Sequence, residues 1–317
     1  MLHLSDALRD QLAHQLAVPS HVPAARRIMD ILFAADPAHC ASSRSLADAL
    51  LGLQTGTGPQ VVQIENLPPG HEAAFTSALF TMLQGDTRRT PIEVRPNQAH
   101  HDVGLHQDAP YSPNSRKIIR TLVVKDPGTR PDPTIFITAD EVLHAMACEQ
   151  IGLTSTTLPA DIPPNEARQH AEALSALVER YRSIRVHTEN IYQDHGEEHA
   201  FLQQNTHYTP GSNAPQFFLC TKRHNERHLS SDSAATTAFY AMAEQLRDRA
   251  AKESSASMHP HSMVIWNDMG VLHDRAGALQ QERKLLSTCA RPLSACARIT
   301  PHERFSGAPS VPVTPQR

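Results

Sequence analysis

At 317 residues the chain can form one large domain or two ordinary ones, and either buries a substantial core. A composition of 40% hydrophobic and 20% charged residues with a formal net charge of −4 is that of a globular protein. It lacks the basic surplus that meets phosphate backbones, so no nucleic-acid partner is expected. No apolar run is long enough to cross a bilayer, and Met1 to Ser20, broken by Asp6, Arg9 and Asp10, lacks the apolar core of a signal peptide. The five cysteines (Cys40, Cys148, Cys220, Cys289, Cys296) are dispersed and never in Cys-x-x-Cys spacing. Reduced thiols in a cytoplasmic protein are therefore expected.

In chain order, Ser5 is placed to cap a helix whose apolar side includes Leu8, Leu12 and Leu16. A second helical pattern runs through Ile28, Ile31, Leu32 and Phe33, and both read as packing helices. Ser45 to Leu51 reads as a third, short helix. Thr55-Gly56-Thr57-Gly58-Pro59 then breaks the chain before a strand over Gln60 to Ile64. That loop lacks the Gly-Lys-Ser/Thr ending of a phosphate cradle and reads as a turn. From Pro91 the pattern changes to short β segments at Ile92 to Val94, Ile118 to Lys125 and Thr134 to Thr138. Residues 139 to 205 interrupt it, with helices over Asp140 to Gln150 and Asn165 to Arg182. Strands resume at Gln216 to Thr221, Met263 to Trp266 and Lys284 to Cys289, with a helix from Ser233 to Lys252 between the first two. Strands on both sides of a long helical insert fit a mixed α+β chain with a β-sandwich or jelly-roll core better than a doubly wound parallel sheet. Phe305 to Arg317, rich in proline, reads as a mobile tail after a single domain over residues 1 to 304.

The chemistry-bearing pattern is Leu105-His106-Gln107-Asp108-Ala109 together with Val271-Leu272-His273-Asp274-Arg275. In an extended strand successive side chains alternate faces, so residues 106 and 108 can reach one metal together. The third ligand, His273, comes 167 residues after His106, which suits opposing strands of one barrel. Two imidazoles and one carboxylate form the facial triad of non-haem Fe(II) oxygenases, leaving half of an octahedron for a co-substrate and O2.

Four motifs, in order, resemble the taurine dioxygenase and clavaminate synthase-like superfamily of Fe(II)/2-oxoglutarate-dependent oxygenases. They are Gly104-Leu105-His106-Gln107-Asp108, Asp132-Pro133-Thr134-Ile135-Phe136, Val264-Ile265-Trp266-Asn267-Asp268 leading to His273-Asp274-Arg275, and Arg283-Lys284-Leu285-Leu286; together they span residues 104 to 286. The resemblance implies a double-stranded β-helix (cupin-like jelly roll) with flanking helices and residues 139 to 205 as a helical lid. It implies Fe(II) on His106, Asp108 and His273, and 2-oxoglutarate as co-substrate, its distal carboxylate held by Thr134 and Arg283. A guanidinium and a hydroxyl are suitable donors for a carboxylate that would otherwise be buried unpaired. The implied activity is oxidation, foremost hydroxylation, of a polar small molecule such as an amino acid, with 2-oxoglutarate decarboxylated to succinate.

The chain departs from the family at two points. Ser287 stands where a second arginine is common, which argues against a sulfonate-type substrate, and Asn267-Asp268 reverses the usual order of the turn. Arg275 and Arg291 are the alternatives to Arg283 as the anion clamp, and Arg283 is preferred. Other histidines form rival constellations: His195 and His199 in His-Gly-Glu-Glu-His lack the spacing of His-Glu-x-x-His and read as a solvated polar lid. His100-His101, His224 with His228, and His259 with His261 read as loop residues, and Cys220 and Cys289 as core thiols. The alternatives to an oxygenase are a catalytically inactive oxygenase-fold binding protein and a zinc hydrolase on the same fold.

Overall fold

The computed structural model describes residues 2–19, 24–32, 49, 61–84, 92–94, 104–106, 119–126, 134–188, 197–204, 217–219, 228–253, 260–267, 270–275 and 284–290. Six α-helices are described: α1 (Asp6–Ala17), α2 (Ala24–Leu32), α3 (Glu72–Gln84), α4 (Ala139–Gln150), α5 (Ala167–Ser183) and α6 (Ser233–Glu253). Thirteen strands are described: β1 (Leu2–His3), β2 (Val61–Glu65), β3 (Ile92–Val94), β4 (Ile119–Asp126), β5 (Thr134–Thr138), β6 (Arg185–Thr188), β7 (Glu197–Ala200), β8 (Leu202–Gln204), β9 (Phe217–Leu219), β10 (His228–Ser230), β11 (Ser262–Asn267), β12 (Val271–Arg275) and β13 (Lys284–Ala290).

The largest sheet has the order β1-β2-β11-β4-β13-β3 and is antiparallel except for the β1/β2 pair. Chain-distant strands therefore lie side by side, Met263 of β11 between Ile64 and Val123. A bulge between Lys284 and Leu285 shifts the β13/β4 register at the start of the strand that follows Arg283. Bulges of this kind re-aim side chains at barrel rims and next to active sites. Helices α1, α2 and α3 pack in succession, and α3 lies on β4 and β13. Ser5 caps α1 as the sequence predicts, its hydroxyl accepting from the Leu8 amide at 3.2 Å, with Leu8 and Leu12 buried beneath.

A second layer is built on the two-stranded β5/β12 sheet. β5 alternates strictly: Ile135 and Ile137 are buried, and Thr134, Phe136 and Thr138 are half-buried on the other face. Ile135, Ile137 and Leu272 enter one core with Val142 and Leu143 of α4, Leu177 and Tyr181 of α5, and Phe239 and Met242 of α6. Phe201, Phe239 and Tyr181 stack at 5.2 to 5.7 Å, and the Tyr181 hydroxyl donates to the Ala235 carbonyl at 2.9 Å. Thr138 ends the strand and begins α4 through a reciprocal box, its hydroxyl accepting from the Glu141 amide while the Glu141 carboxylate accepts from the Thr138 amide.

The sequence reading misses α3 altogether. It is also corrected within residues 139 to 205, which are not solely helical: β6, β7 and β8 lie there, and β6 pairs with both β7 and β10. His199 accordingly sits on strand β7, in register with Val186. Ala49 is the one described residue of the short helix read over 45–51, and the turn at 55–59 and the tail at 305–317 lie outside the described residues. No helix among the described residues is long and apolar enough to cross a membrane.

Glu72, in the first turn of α3 and only 3% exposed, ties this helix to the turn before β11, where His261 Nδ1 lies 2.7 Å from its Oε1. Burial pushes the Glu72 carboxyl up, but its own amide, His261 and the Gly70 amide together outweigh burial and hold it below its ordinary 4.5. A carboxyl lowered on folding stabilises fully above that unfolded value and loses its contribution as pH falls through the folded one. Urea unfolding at pH 7 and at successively lower pH is therefore expected to show a steeper acid loss in the wild type than in Glu72→Gln. Parallel curves would remove this pair from the acid limb.

Candidate metal centre

The segment before His106 and strand β12 meet at a single antiparallel bridge, His106 with His273. Each residue donates its amide to the other's carbonyl, at 3.0 Å from His106 and 2.9 Å from His273. In such a pair the two side chains emerge on the same face. Their rings lie 4.4 Å apart, centroid to centroid, and tilted by 46°. Two histidines 167 residues apart in sequence are thereby neighbours, as the His-x-Asp and distant-His spacing predicts.

The backbone at Gly104 adds a chemical constraint. Gly104 has φ +66°, in the left-handed region that favours glycine, and its carbonyl accepts a hydrogen bond from His106 Nδ1 at 2.8 Å. A carbonyl can only accept, so Nδ1 carries a proton, and in the neutral ring Nε2 then carries the lone pair. This tautomer is the one in which His106 can ligate a metal through Nε2.

His273 is 8% exposed and stands among aromatic rings, with Trp266 at 5.2 Å and Phe136 at 6.5 Å. Phe136 and Trp266 also contact each other at 5.3 Å, and Val264 and Val271 complete the apolar surround. In the β5/β12 register His273 opposes Phe136 and Arg275 opposes Thr134. Thr134 is therefore on the His273 face, one diagonal step along the ladder. The other face of β12 turns inward: Asp274, 1% exposed, holds Arg247 of α6 through Oδ2 to Nε at 2.6 Å.

Of the residues singled out in sequence, the structure brings together His106 and His273 and puts Thr134 on the same face. Asp108 and Arg283 lie outside the described residues, as do the side chains of Asn267, Asp268, Arg275 and Ser287. The Arg247–Asp274 pair was not foreseen, because it joins a helix to a strand with no local signal. A cavity of about 820 Å³ lies beside this layer, lined by Phe136, Asp140, His144, Leu158, His170 and Arg249 among others. Phe136 thus lines the cavity on one side and neighbours His273 on the other.

This architecture is similar to that of solved non-haem iron oxygenases. An asparagine oxygenase in complex with Fe(II), (2S,3S)-3-hydroxyasparagine and succinate superposes with a TM-score of 0.54 at 14% identity, over 91% of this chain and 92% of that one. The non-haem iron oxygenase OrfP with Fe and L-homoarginine gives 0.55 at 10% identity, over 92% and 93%. OrfP with Fe and alpha-ketoglutaric acid gives 0.51 at 11%, over 93% and 98%. No protein-family model and no curated protein matches the chain. At these identities the likeness is one of fold.

The Arg247–Asp274 pair yields a stability prediction. Truncating one partner of a buried ion pair removes a compensating charge from the other, at a cost on the order of 3 kcal/mol. Arg247→Ala is expected to lower unfolding stability by about that amount in urea. A loss below about 0.5 kcal/mol would mean that solvent already screens the pair as it does at a surface.

Proposed function

We propose that the chain is an Fe(II)/2-oxoglutarate-dependent dioxygenase in which His106, Asp108 and His273 hold the iron and Thr134 and Arg283 hold the distal carboxylate of 2-oxoglutarate. The observation that carries this reading is the paired placement of His106 and His273, with His106 held as the Nδ1–H tautomer by the Gly104 carbonyl. Two imidazoles with the carboxylate that the His-x-Asp spacing supplies are a donor set suited to Fe(II). When bound, iron with 2-oxoglutarate and O2 supplies the oxidising chemistry, releasing succinate and CO2.

The protein's own residues orient and shelter. Trp266, Phe136 and Val271 surround His273 with apolar surface and limit water around it. Thr134, on the same face, offers a hydroxyl, and Arg283, immediately before the bulged start of β13, offers a bidentate charge-assisted donor. A single domain over residues 1–304 with a double-stranded β-helix core, and residues 139–205 over the site, completes the reading. The substrate is a polar small molecule of the amino-acid class, and the outcome is hydroxylation. The hydroxyasparagine and L-homoarginine complexes of the similar structures support this class.

The test is an anaerobic titration of metal-free protein with Fe(II) and then 2-oxoglutarate, read by the visible metal-to-ligand charge-transfer band of a chelated 2-oxo acid. The band is expected in the wild type. Arg283→Ala should weaken 2-oxoglutarate binding by roughly 10- to 100-fold, the loss that follows removal of a hydrogen bond to a charged group. His106→Ala should keep the fold by circular dichroism and lose coupled 2-oxoglutarate decarboxylation. Full turnover in His106→Ala would sink the ligand assignment. Iron binding with no band would point to the inactive binding protein.

A further inference from the structure

A second group of metal-competent side chains lies between helices α4 and α5, and none of it belongs to the centre above. His144 and Cys148 are one helical turn apart on α4 and share a face. His170 reaches them from α5. One ligand atom from each of the three lies within 4.8 Å of the other two. His144 Nε2 is 3.6 Å from Cys148 Sγ. In a tetrahedral site with Zn–N near 2.0 Å and Zn–S near 2.3 Å, ligand atoms are about 3.5 Å apart, so this edge already has the required length. The remaining separations, at most 4.8 Å, close to tetrahedral length with shifts of no more than about 1.5 Å.

The surroundings favour a cation over a plain core contact. Cys148 is fully buried and a free thiol, and His170 is 7% exposed with its Nε2 buried and without a hydrogen-bond partner among the described residues. A buried ring nitrogen left in this state is costly unless something occupies it. The two rings meet edge-on at 4.8 Å. Burial first, and His144 second, hold the His170 imidazole below its ordinary value, in the neutral form that a metal requires. The helix that presents His144 and Cys148 is fixed at both ends, by the Thr138–Glu141 box and by amides of residues 151 and 153 donating to the Cys148 carbonyl. Both histidines line the 820 Å³ cavity, which leaves room for a solvent molecule as fourth ligand.

We propose that His144, Cys148 and His170 form a binding site for a zinc-class divalent cation that clasps α4 to α5, separate from the iron centre. Binding replaces the Cys148 S–H bond by a metal–sulfur bond and releases that proton to solvent; burial holds the thiol up and protonated until the cation arrives. His144 Nε2 donates to the Thr157 carbonyl at 2.8 Å. Ligation through this nitrogen moves its proton to Nδ1 and gives up the Thr157 bond.

Cobalt(II) is the probe, because a thiolate ligand gives a near-ultraviolet sulfur-to-cobalt charge-transfer band that an all-nitrogen-and-oxygen centre cannot give. Metal-free, reduced, full-length protein is titrated without oxygen. The wild type is expected to develop this band with tetrahedral visible absorption, and zinc to abolish it. His273→Ala should retain the band, Cys148→Ala should lose it, and His170→Gln should bind cobalt at least tenfold more weakly. Zinc should also raise the melting temperature of the wild type more than that of Cys148→Ala. Absence of the band in folded wild type, its survival in folded Cys148→Ala, or unchanged affinity in His170→Gln would each overturn the site. If Cys148→Ala does not fold, the His170→Gln comparison decides alone.

Discussion

Two backbone hydrogen bonds, exchanged between His106 and His273, are the constraint on which the candidate metal centre rests. A hydrogen-bonded antiparallel pair leaves little choice in where its side chains go: both emerge on one face, a few ångströms apart. The imidazoles need no further device to converge. What they do need is a tautomer, and the left-handed turn at Gly104 supplies it by aiming a carbonyl at His106 Nδ1. A side chain at residue 104 would be strained in this conformation, which gives the glycine a chemical as well as a steric reason. For His106, position and the Nδ1 proton are both set by backbone groups, which cost no side-chain entropy to hold in place.

Strand β12 carries a different task on each face. Val271 and His273 look toward the aromatic surround of Trp266 and Phe136, while Leu272 and Asp274 look into the helical layer. A charge as buried as Asp274 is tolerated because Arg247 meets it at 2.6 Å. The pair joins the strand bearing His273 to α6, the longest described helix, so the candidate centre is held from behind as well as from the bridge. β5 repeats the division, with Ile135 and Ile137 inward and Thr134 and Phe136 toward His273. A one-residue slip between β5 and β12 would exchange these faces and bury Thr134 in an apolar core.

The sequence discloses some of this and hides the rest for identifiable reasons. β5 is read to the residue because Thr-Ile-Phe-Ile-Thr is a β-branched run directly before a helical pattern; its alternating burial and the Thr138–Glu141 cap emerge only in the fold. β4, β11 and β13 are legible to within one residue as short runs with an apolar centre, β-branched in β4 and β11. Helix α3 escapes because Glu72–Gln84 is apolar around most of its circumference, and a helix without a polar face shows no period. β6 and β7 escape because Arg-Val-His-Thr and Glu-Glu-His-Ala are short and polar, and only pairing makes them strands. At the candidate centre, the spacing of His106 and His273 carries a geometric meaning, and the fold makes the two neighbours. The proximity of His144, Cys148 and His170 carries none until α4 and α5 are packed. His144 and Cys148 share a face by helical spacing, but nothing local says that His170 faces them.

The central claim is that His106 and His273 share one metal, and counting the imidazoles on that metal tests it most directly. Pulsed electron paramagnetic resonance of the protein loaded with the vanadyl ion, a spin-bearing stand-in for Fe(II), resolves each directly coordinated imidazole nitrogen. Two are predicted in the wild type, one in His106→Ala and one in His273→Ala. A count that is unchanged when His273 is removed would show that the bridge brings the two rings together without making them ligands of one ion.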